Sequence, residues 1–173
     1  ADRLSEGYST EAPVKFNARK RVACIYDNTI KIGGLADRLR GILSVYYICR
    51  EKNIDFKILF SHPFNLDRYL IPNQVEWGIT KDSLSYNLPS TDLCMITTSN
   101  GGWYERRKQE RWFKKEFDKQ FNEFHVRTNA IFSFQHNFAE LFNELFRPSP
   151  LLESIIDHQK DLLGENYISV SFR

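Results

Sequence analysis

The stretch from Arg21 to Phe60 constrains the fold more than any other part of the chain. Arg21-Val-Ala-Cys-Ile-Tyr26 is short, apolar and rich in branched residues, as a buried strand requires. A polar loop follows and closes on Gly33-Gly34. From there the pattern turns helical: Leu35, Leu39, Ile42, Leu43 and Tyr46 fall on one face of a helix over 35–52. Asn53 ends that helix, and a second strand, Asp55-Phe-Lys-Ile-Leu-Phe60, begins at once. A strand, a helix and a strand in so short a span make a βαβ unit, with a right-handed crossover and parallel pairing.

The rest of the chain extends that unit. Further strands are expected at 92–98 (Asp-Leu-Cys-Met-Ile-Thr-Thr) and at 167–172. Residues 61–91 contain Pro63, Pro72 and Pro89 among polar residues, so loops with short helical turns are expected there. Asn100-Gly-Gly-Trp103 reads as a turn. A charged helix is expected over 104–123, with Phe113, Phe117, Phe121 and Phe124 on one side. Phe138, Leu141, Phe142 and Leu145 mark a short helix that stops before Pro148. Ser149-Pro150 then supplies an N-cap and a first-turn proline for a helix over 150–163, with Gly164 as a left-handed C-terminal residue. The expected architecture is a three-layer, Rossmann-like α/β domain with a mostly parallel sheet, over 20–173, preceded by a flexible arm over 1–19.

Bulk properties narrow the function classes. The net charge of +2 is too small to suggest a nucleic-acid or membrane partner. No apolar run reaches the roughly 18 residues of a membrane span, and no signal peptide is visible. Cys24, Cys49 and Cys94 are odd in number and lie in apolar runs, so they are expected to be buried free thiols in a reducing, cytoplasmic setting. The chain starts at Ala1 and stops at Arg173, directly after a strand pattern, which fits one domain of a longer protein.

Gly33-Gly34 is where chemistry is most expected. Adjacent glycines let a backbone turn sharply and approach a ligand, and a helix N-terminus offers free N–H groups to an anion. A plain strand-to-helix turn explains the same residues. A Gly-x-Gly-x-x-Gly dinucleotide fingerprint fails, because Leu35 and Arg38 stand where glycines are needed. A P-loop fails as well, since no Gly-Lys-Ser/Thr follows.

Gly33-Gly34-Leu35-Ala36-Asp37-Arg38-Leu39 resembles the Gly-Gly-Leu-Gly-Asn-Arg-Leu opening of GDP-fucose-dependent fucosyltransferases. That group takes in bacterial nodulation enzymes, core α-1,6 enzymes, plant cell-wall enzymes and protein O-fucosyltransferases. Leu145-Phe-Arg-Pro-Ser-Pro150 and Tyr167-Ile-Ser-Val-Ser-Phe-Arg173 resemble the family's later Phe-x-Pro-Ser and Tyr-Ile-x-Val-His-x-Arg segments, in the same order. The resemblance covers 20–60 and 138–173 and leaves the middle unmatched.

It implies a GT-B-like enzyme of two Rossmann-like halves, of which this chain would be the N-terminal, acceptor-side half. The implied reaction is transfer of fucose from GDP-fucose to a glycan hydroxyl, of the bacterial type, without a cofactor. Arg173 matches the arginine that binds the donor diphosphate, a role suited to a guanidinium. Gly33, Gly34 and Arg38 would lie at the donor, with Asp37 as the candidate base. Two positions depart from the pattern: Ser171 replaces His, and Asp37 replaces Asn. An acidic Asp37 beside a diphosphate requires a cationic partner, for which Arg38 and Arg173 are the candidates.

Other positions are read from the residues themselves. His62 follows the second strand at its carboxyl end, where α/β folds place ligand contacts. Glu76-Trp77 offers an indole as a sugar platform, or as a packing ring. Both are acceptor-site candidates. No metal is implied, since the chain has no Asp-x-Asp pair. His125, His136 and His158 lack metal-ligand spacing. The basic residues of 106–119 are interspersed with acids and read as a solvated helix face. Two further readings stay open: a non-catalytic α/β module that binds carbohydrate or a partner, and a nucleotide-binding regulatory domain.

Overall fold

The computed structural model describes residues 5–10, 19–30, 32–88, 91–96, 103–131 and 137–164. Four parallel strands make the central sheet. They are β1 (Arg21–Tyr26), β2 (Asp55–Phe60), β4 (Thr91–Ile96) and β5 (Glu123–Thr128), in the order β2-β1-β5-β4. The helices are α1 (Leu35–Lys52), α2 (Trp103–Glu116), α3 (Phe138–Leu145) and α4 (Pro150–Leu163). Two three-residue strands, β3 (Leu70–Pro72) and β6 (Phe146–Pro148), pair antiparallel beside the main sheet. This is the α/β, Rossmann-like architecture that the βαβ opening predicts. The first unit matches the sequence reading residue for residue: Asn53 ends α1 in the left-handed conformation, at φ 53° and ψ 44°.

Strand alternation divides the sheet into two faces. Val22, Cys24, Tyr26, Phe56, Ile58, Phe60, Phe124 and Val126 point into the main core, which α1, α2 and α3 cover through Ile42, Val45, Ile48, Phe113, Leu141 and Leu145. Ala23, Ile25 and Leu84 form a smaller cluster on the opposite face, flanked by Leu59, Ile79 and Tyr86. Among the described residues that third layer is built from connecting segments. Residues 5–10 belong to it: Ser9 bridges Asn87, its N–H donates to Tyr86 O at 2.7 Å, and Leu88 N donates to Ser9 O at 3.0 Å. Residues 5–10 are thus docked on the 86–88 segment, and the rest of the arm expected over 1–19, apart from residue 19, lies outside the described residues.

The middle of the chain holds the main correction. The helix expected over 104–123 ends at Glu116, and Glu123–Thr128 is a fully buried strand next to β1. The phenylalanine spacing runs across that boundary. Phe113 closes α2, Phe117 and Phe121 lie in the connection, and Phe124 opens β5, yet all four rings meet in one cluster with centroids 5.3–5.6 Å apart along Phe113–Phe117–Phe124–Phe121. Burial of these rings overrides the helical pattern of the charged residues around them.

α4 starts as expected, with the Ser149 side chain accepting from Leu152 N at 3.2 Å and Pro150 in the first turn. It ends on Gly164 at φ 69° and ψ −168°, outside the left-handed helical region expected there. None of its residues is buried, and Leu151, Ile155, Leu162 and Leu163 remain exposed. The strand expected at 167–172, with Ser171 and Arg173, lies outside the described residues.

All three cysteines are buried and free. Burial pushes the Cys94 thiol up to about 12, with the Glu116 charge adding to it, and drives Cys24 and Cys49 well above the ordinary thiol range. The thiolate is the reactive form, so the native protein is expected to react slowly with Ellman's reagent at pH 8. Denaturant should release all three thiols. A thiol that reacts fast in the native state would contradict this packing.

Candidate functional site at the carboxyl end of the sheet

The loop after β1 crosses the carboxyl ends of the parallel strands, where open α/β sheets bind ligands. Its two glycines differ in what the fold asks of them. Gly33 sits at φ +45°, and a Cβ there would lie 3.0 Å from Asn129 Nδ2 and 3.1 Å from Asp37 Cβ. The turn itself requires Gly33. Gly34 is at φ −78° and ψ 176°, an ordinary extended conformation, and among the described residues a Cβ on it would meet nothing within 4 Å. Its backbone angles admit any residue, and as an N-cap the position favours glycine or a short polar side chain over an apolar one. Gly34 is also the N-cap of α1 and gives it no side-chain cap, and residues 33–36 are all exposed. The loop thus presents bare backbone and first-turn N–H groups at the open end of an 18-residue helix.

The charged pair after the glycines splits into two roles. Arg38 turns back into the fold. Its Nε donates to Ile32 O at 2.7 Å and Gly33 O at 3.2 Å, and Nη1 donates to His62 O. The guanidinium also lies over the rings of Phe60 and Tyr26. It clamps the β1–α1 loop to the loop after β2, and these contacts point it away from the role of cationic partner to Asp37. Asp37 stays half-exposed in the first turn, where the helix dipole favours an acid. Its partner is Arg40, with Nη1 3.5 Å from Oδ1.

β5 closes the other side of this crevice. Tyr26 Oη donates to Thr128 O, and Ala130 N donates to Thr128 Oγ1 at 3.0 Å. α1 presses against the same strand end at Gly41, where a Cβ would stand 2.3 Å from Thr128 O. On the opposite face of β5, Glu123, His125 and Arg127 form a buried polar row. Glu123 accepts from Ser85 N at 2.6 Å and from Arg21 Nη1 at 3.4 Å. His125 Nε2 lies 2.6 Å from Glu123 Oε1, and its Nδ1 bonds the Tyr8 hydroxyl. Arg127 is 5% exposed, and its Nη2 lies 3.6 Å from Asp27 Oδ2. Buried N–H groups without partners cost about 1–3 kcal/mol each.

The acceptor candidates fare differently. His62 sits half-buried after β2, its N–H donating to Tyr26 O at 3.2 Å, ahead of a cis bond to Pro63. Trp77 is a core residue, which corrects the platform expectation. It is 3% exposed, its Nε1 donates to Leu145 O at 2.7 Å, and its ring meets Phe146 edge-on. Satisfying the indole N–H inside the core draws the whole ring in, and no face is left for a sugar. Beside it, a groove of about 680 Å³ runs along β2, lined by Lys57, Ser61, Asn65, Asp67, Glu76 and Thr80 among others.

Sequence reasoning missed Asp27, Arg127 and Asn129. The alternation of Phe124, Val126 and Thr128 was the signal that could have located β5 and its carboxyl end. Among the described residues no cluster of three or more His, Cys, Asp or Glu could hold a metal ion, and no helix is long and apolar enough to cross a membrane.

No family model matches the chain, and no curated protein matches it in sequence. Solved structures do match in shape. One is a mutant of the Arabidopsis thaliana fucosyltransferase FUT1 in complex with GDP, at 12% identity and a TM-score of 0.50. The match covers 92% of this chain and 42% of that one, so the chain spans less than half the length of its structural neighbour. The likeness is one of fold: an α/β domain with a mostly parallel sheet.

Proposed function

We propose that this chain is the acceptor-side, N-terminal half of a GT-B-like glycosyltransferase that transfers fucose from GDP-fucose to a glycan hydroxyl. The observation that carries the reading is Gly34. Neither the backbone angles nor the space among the described residues demands a glycine at this N-cap, and a bare backbone at a helix N-terminus suits a ligand passing close to it. The fold shared with a GDP-bound fucosyltransferase and the Gly-Gly-Leu-Ala-Asp-Arg-Leu motif support it.

In this reading the Gly33-Gly34 backbone and the α1 N-terminus face the donor, and Arg38 positions that loop. Asp37 is the candidate base. It takes the proton of the acceptor hydroxyl as the oxygen attacks the anomeric carbon and the bond to the GDP oxygen breaks. The leaving diphosphate takes that electron pair, and Arg173 supplies the cationic stabilisation. The acceptor glycan takes the groove along β2, beside His62. No metal enters this scheme.

A thermal-shift titration of the full-length protein tests the donor, since in a GT-B-like enzyme the second half holds most of the sugar nucleotide. At ~100-fold over Kd a ligand adds about 2.7 kcal/mol, enough to raise Tm by roughly 5–11 °C in a domain of this size. GDP-fucose and GDP are expected to do so, and adenine nucleotides are not. Gly34→Val should lower the ligand-free Tm by no more than roughly 5 °C, the cost of an apolar N-cap, and remove the shift, because its side chain enters space that no described residue fills. Stabilisation by adenine nucleotides alone would favour a regulatory nucleotide-binding domain. No response to any nucleotide would favour a carbohydrate- or partner-binding module.

A further inference from the structure

The polar row on β5 is satisfied at Glu123 and His125 and left open at Arg127. Glu123 has Ser85 N, Arg21 and His125 as partners, and His125 is held at both ring nitrogens. Arg127 is 5% exposed, yet among the described residues its Nε and Nη1 have no hydrogen-bond partner. Its one ion-pair contact, Nη2 to Asp27 Oδ2, is 3.6 Å long, beyond a good hydrogen bond. Asp27 is itself divided, since its Oδ1 already accepts from Thr29 N at 3.2 Å and from the Thr29 hydroxyl. A guanidinium is the side chain best suited to hold a planar or tetrahedral oxyanion through several N–H groups at once. This one stands at the carboxyl ends of β1 and β5, where parallel sheets receive ligands.

We propose that Arg127 is the anion-binding residue of a phosphate-type oxyanion site at the carboxyl ends of β1 and β5, with Tyr8 as its cover. The incoming oxyanion accepts from the open Nε and, on the same edge of the guanidinium, from Nη2 in place of the long Asp27 contact. Tyr8 lies across the site, its hydroxyl tied to His125 Nδ1 and interacting with the Arg127 guanidinium, and its ring against Tyr86 and His125, so that an oxyanion takes the place of the Tyr8 hydroxyl. The segment carrying it is fastened by two main-chain hydrogen bonds, Ser9 N to Tyr86 O and Leu88 N to Ser9 O. Swinging the Tyr8 side chain off His125 opens Arg127 and breaks no hydrogen bond of the sheet. The site does not depend on which molecule carries the phosphate, so it stands apart from the donor assignment.

The test follows the Arg127 Nε–H resonance of the complete 173-residue chain by NMR during titration with inorganic pyrophosphate, then inorganic phosphate, GDP and GDP-fucose. Pyrophosphate is expected to move it saturably. Asp27→Asn removes the competing carboxylate and should tighten pyrophosphate about tenfold, while Arg127→Lys should weaken it about tenfold or more. Tyr8→Ala should speed association. The wild-type resonance and the Asp27→Asn arm remain decisive if the arginine variant fails to fold. An Arg127 resonance that stays in place through saturation, or pyrophosphate binding unchanged in both variants, would overturn the site. GDP-fucose binding with Arg127 silent to pyrophosphate, phosphate and GDP alike would overturn the site and leave the donor reading standing. Pyrophosphate at Arg127 with no response to GDP-fucose would support the site and remove the donor reading.

Discussion

Phe117→Ala is expected to lower the unfolding free energy by about 3–5 kcal/mol, the largest effect of any single truncation proposed for this chain. The side chain is 1% exposed, and its ring centroid lies 5.6 Å from that of Phe113 and 5.3 Å from that of Phe124. Removing it leaves a ring-sized void and also forfeits two edge-to-face contacts of about 0.5–1.5 kcal/mol each. The void cannot close easily. It is held between α2 and β5, and the Phe117 main chain is fixed by its N–H to Phe113 O at 2.9 Å and by Lys20 Nζ donating to Phe117 O at 3.1 Å. In a domain of this length Tm should fall by roughly 6–20 °C. Leu162→Ser is the control. Leu162 is equally apolar but 67% exposed on α4, and its loss should stay within about 0.5 kcal/mol. Equal effects at the two positions would contradict the placement of the aromatic cluster.

The second large effect comes from adding atoms. On an open helix, replacing Gly by Ala stabilises by about 0.8–1.0 kcal/mol. At Gly41 the sign should reverse. A Cβ there would stand 2.3 Å from Thr128 O and 2.9 Å from Thr128 C, and both are main-chain atoms of β5 that no rotamer change can move aside. α1 must slide off the sheet, at a cost of about 1–3 kcal/mol for Gly41→Ala and more for Gly41→Val. The displacement also reaches the site, because α1 carries Asp37 and Arg38 and its N-terminus is the Gly33-Gly34 loop. Circular-dichroism melts should show a lower Tm for Gly41→Ala and a further drop for Gly41→Val. A rise in Tm for the alanine variant would mean that α1 does not lie this close to β5.

How far the sequence carries depends on how each segment satisfies its own polar groups. Arg21–Phe60 is legible because local signals agree: apolar strands, a periodic helix, and Asn53 as a stop in the left-handed conformation. Ser149-Pro150 is legible for the same reason. β5 is not. Glu123, His125 and Arg127 put charged and polar side chains where a buried strand is expected to be apolar, and only the fold reveals that Arg21, Ser85, Tyr8 and Asp27 come from distant positions to meet them. Trp77 is hidden by the same kind of cause, since its hydrogen-bond partner, Leu145 O, is remote in sequence. At the site the glycine pair is legible and its division of labour is not. Telling Gly33, which the turn needs, from Gly34, which it does not, takes backbone angles and the space around each Cα.

Arg38 gives a related lesson. Its position beside Asp37 suggests a charge pair, yet its guanidinium serves the carbonyls of Ile32, Gly33 and His62 and leaves Arg40 as the partner of Asp37. One helical turn separates a residue that builds the loop from one that faces outward.

The central claim is that the bare Gly33-Gly34 backbone at the carboxyl end of β1 faces a nucleotide sugar. Backbone amide resonances followed during titration with GDP-fucose test it most directly. The predicted result is saturable shifts at Gly33, Gly34, Leu35 and Asp37 that vanish in Gly34→Val while the rest of the spectrum keeps its native pattern. Shifts confined to the groove along β2, or none at all at saturating GDP-fucose, would contradict it.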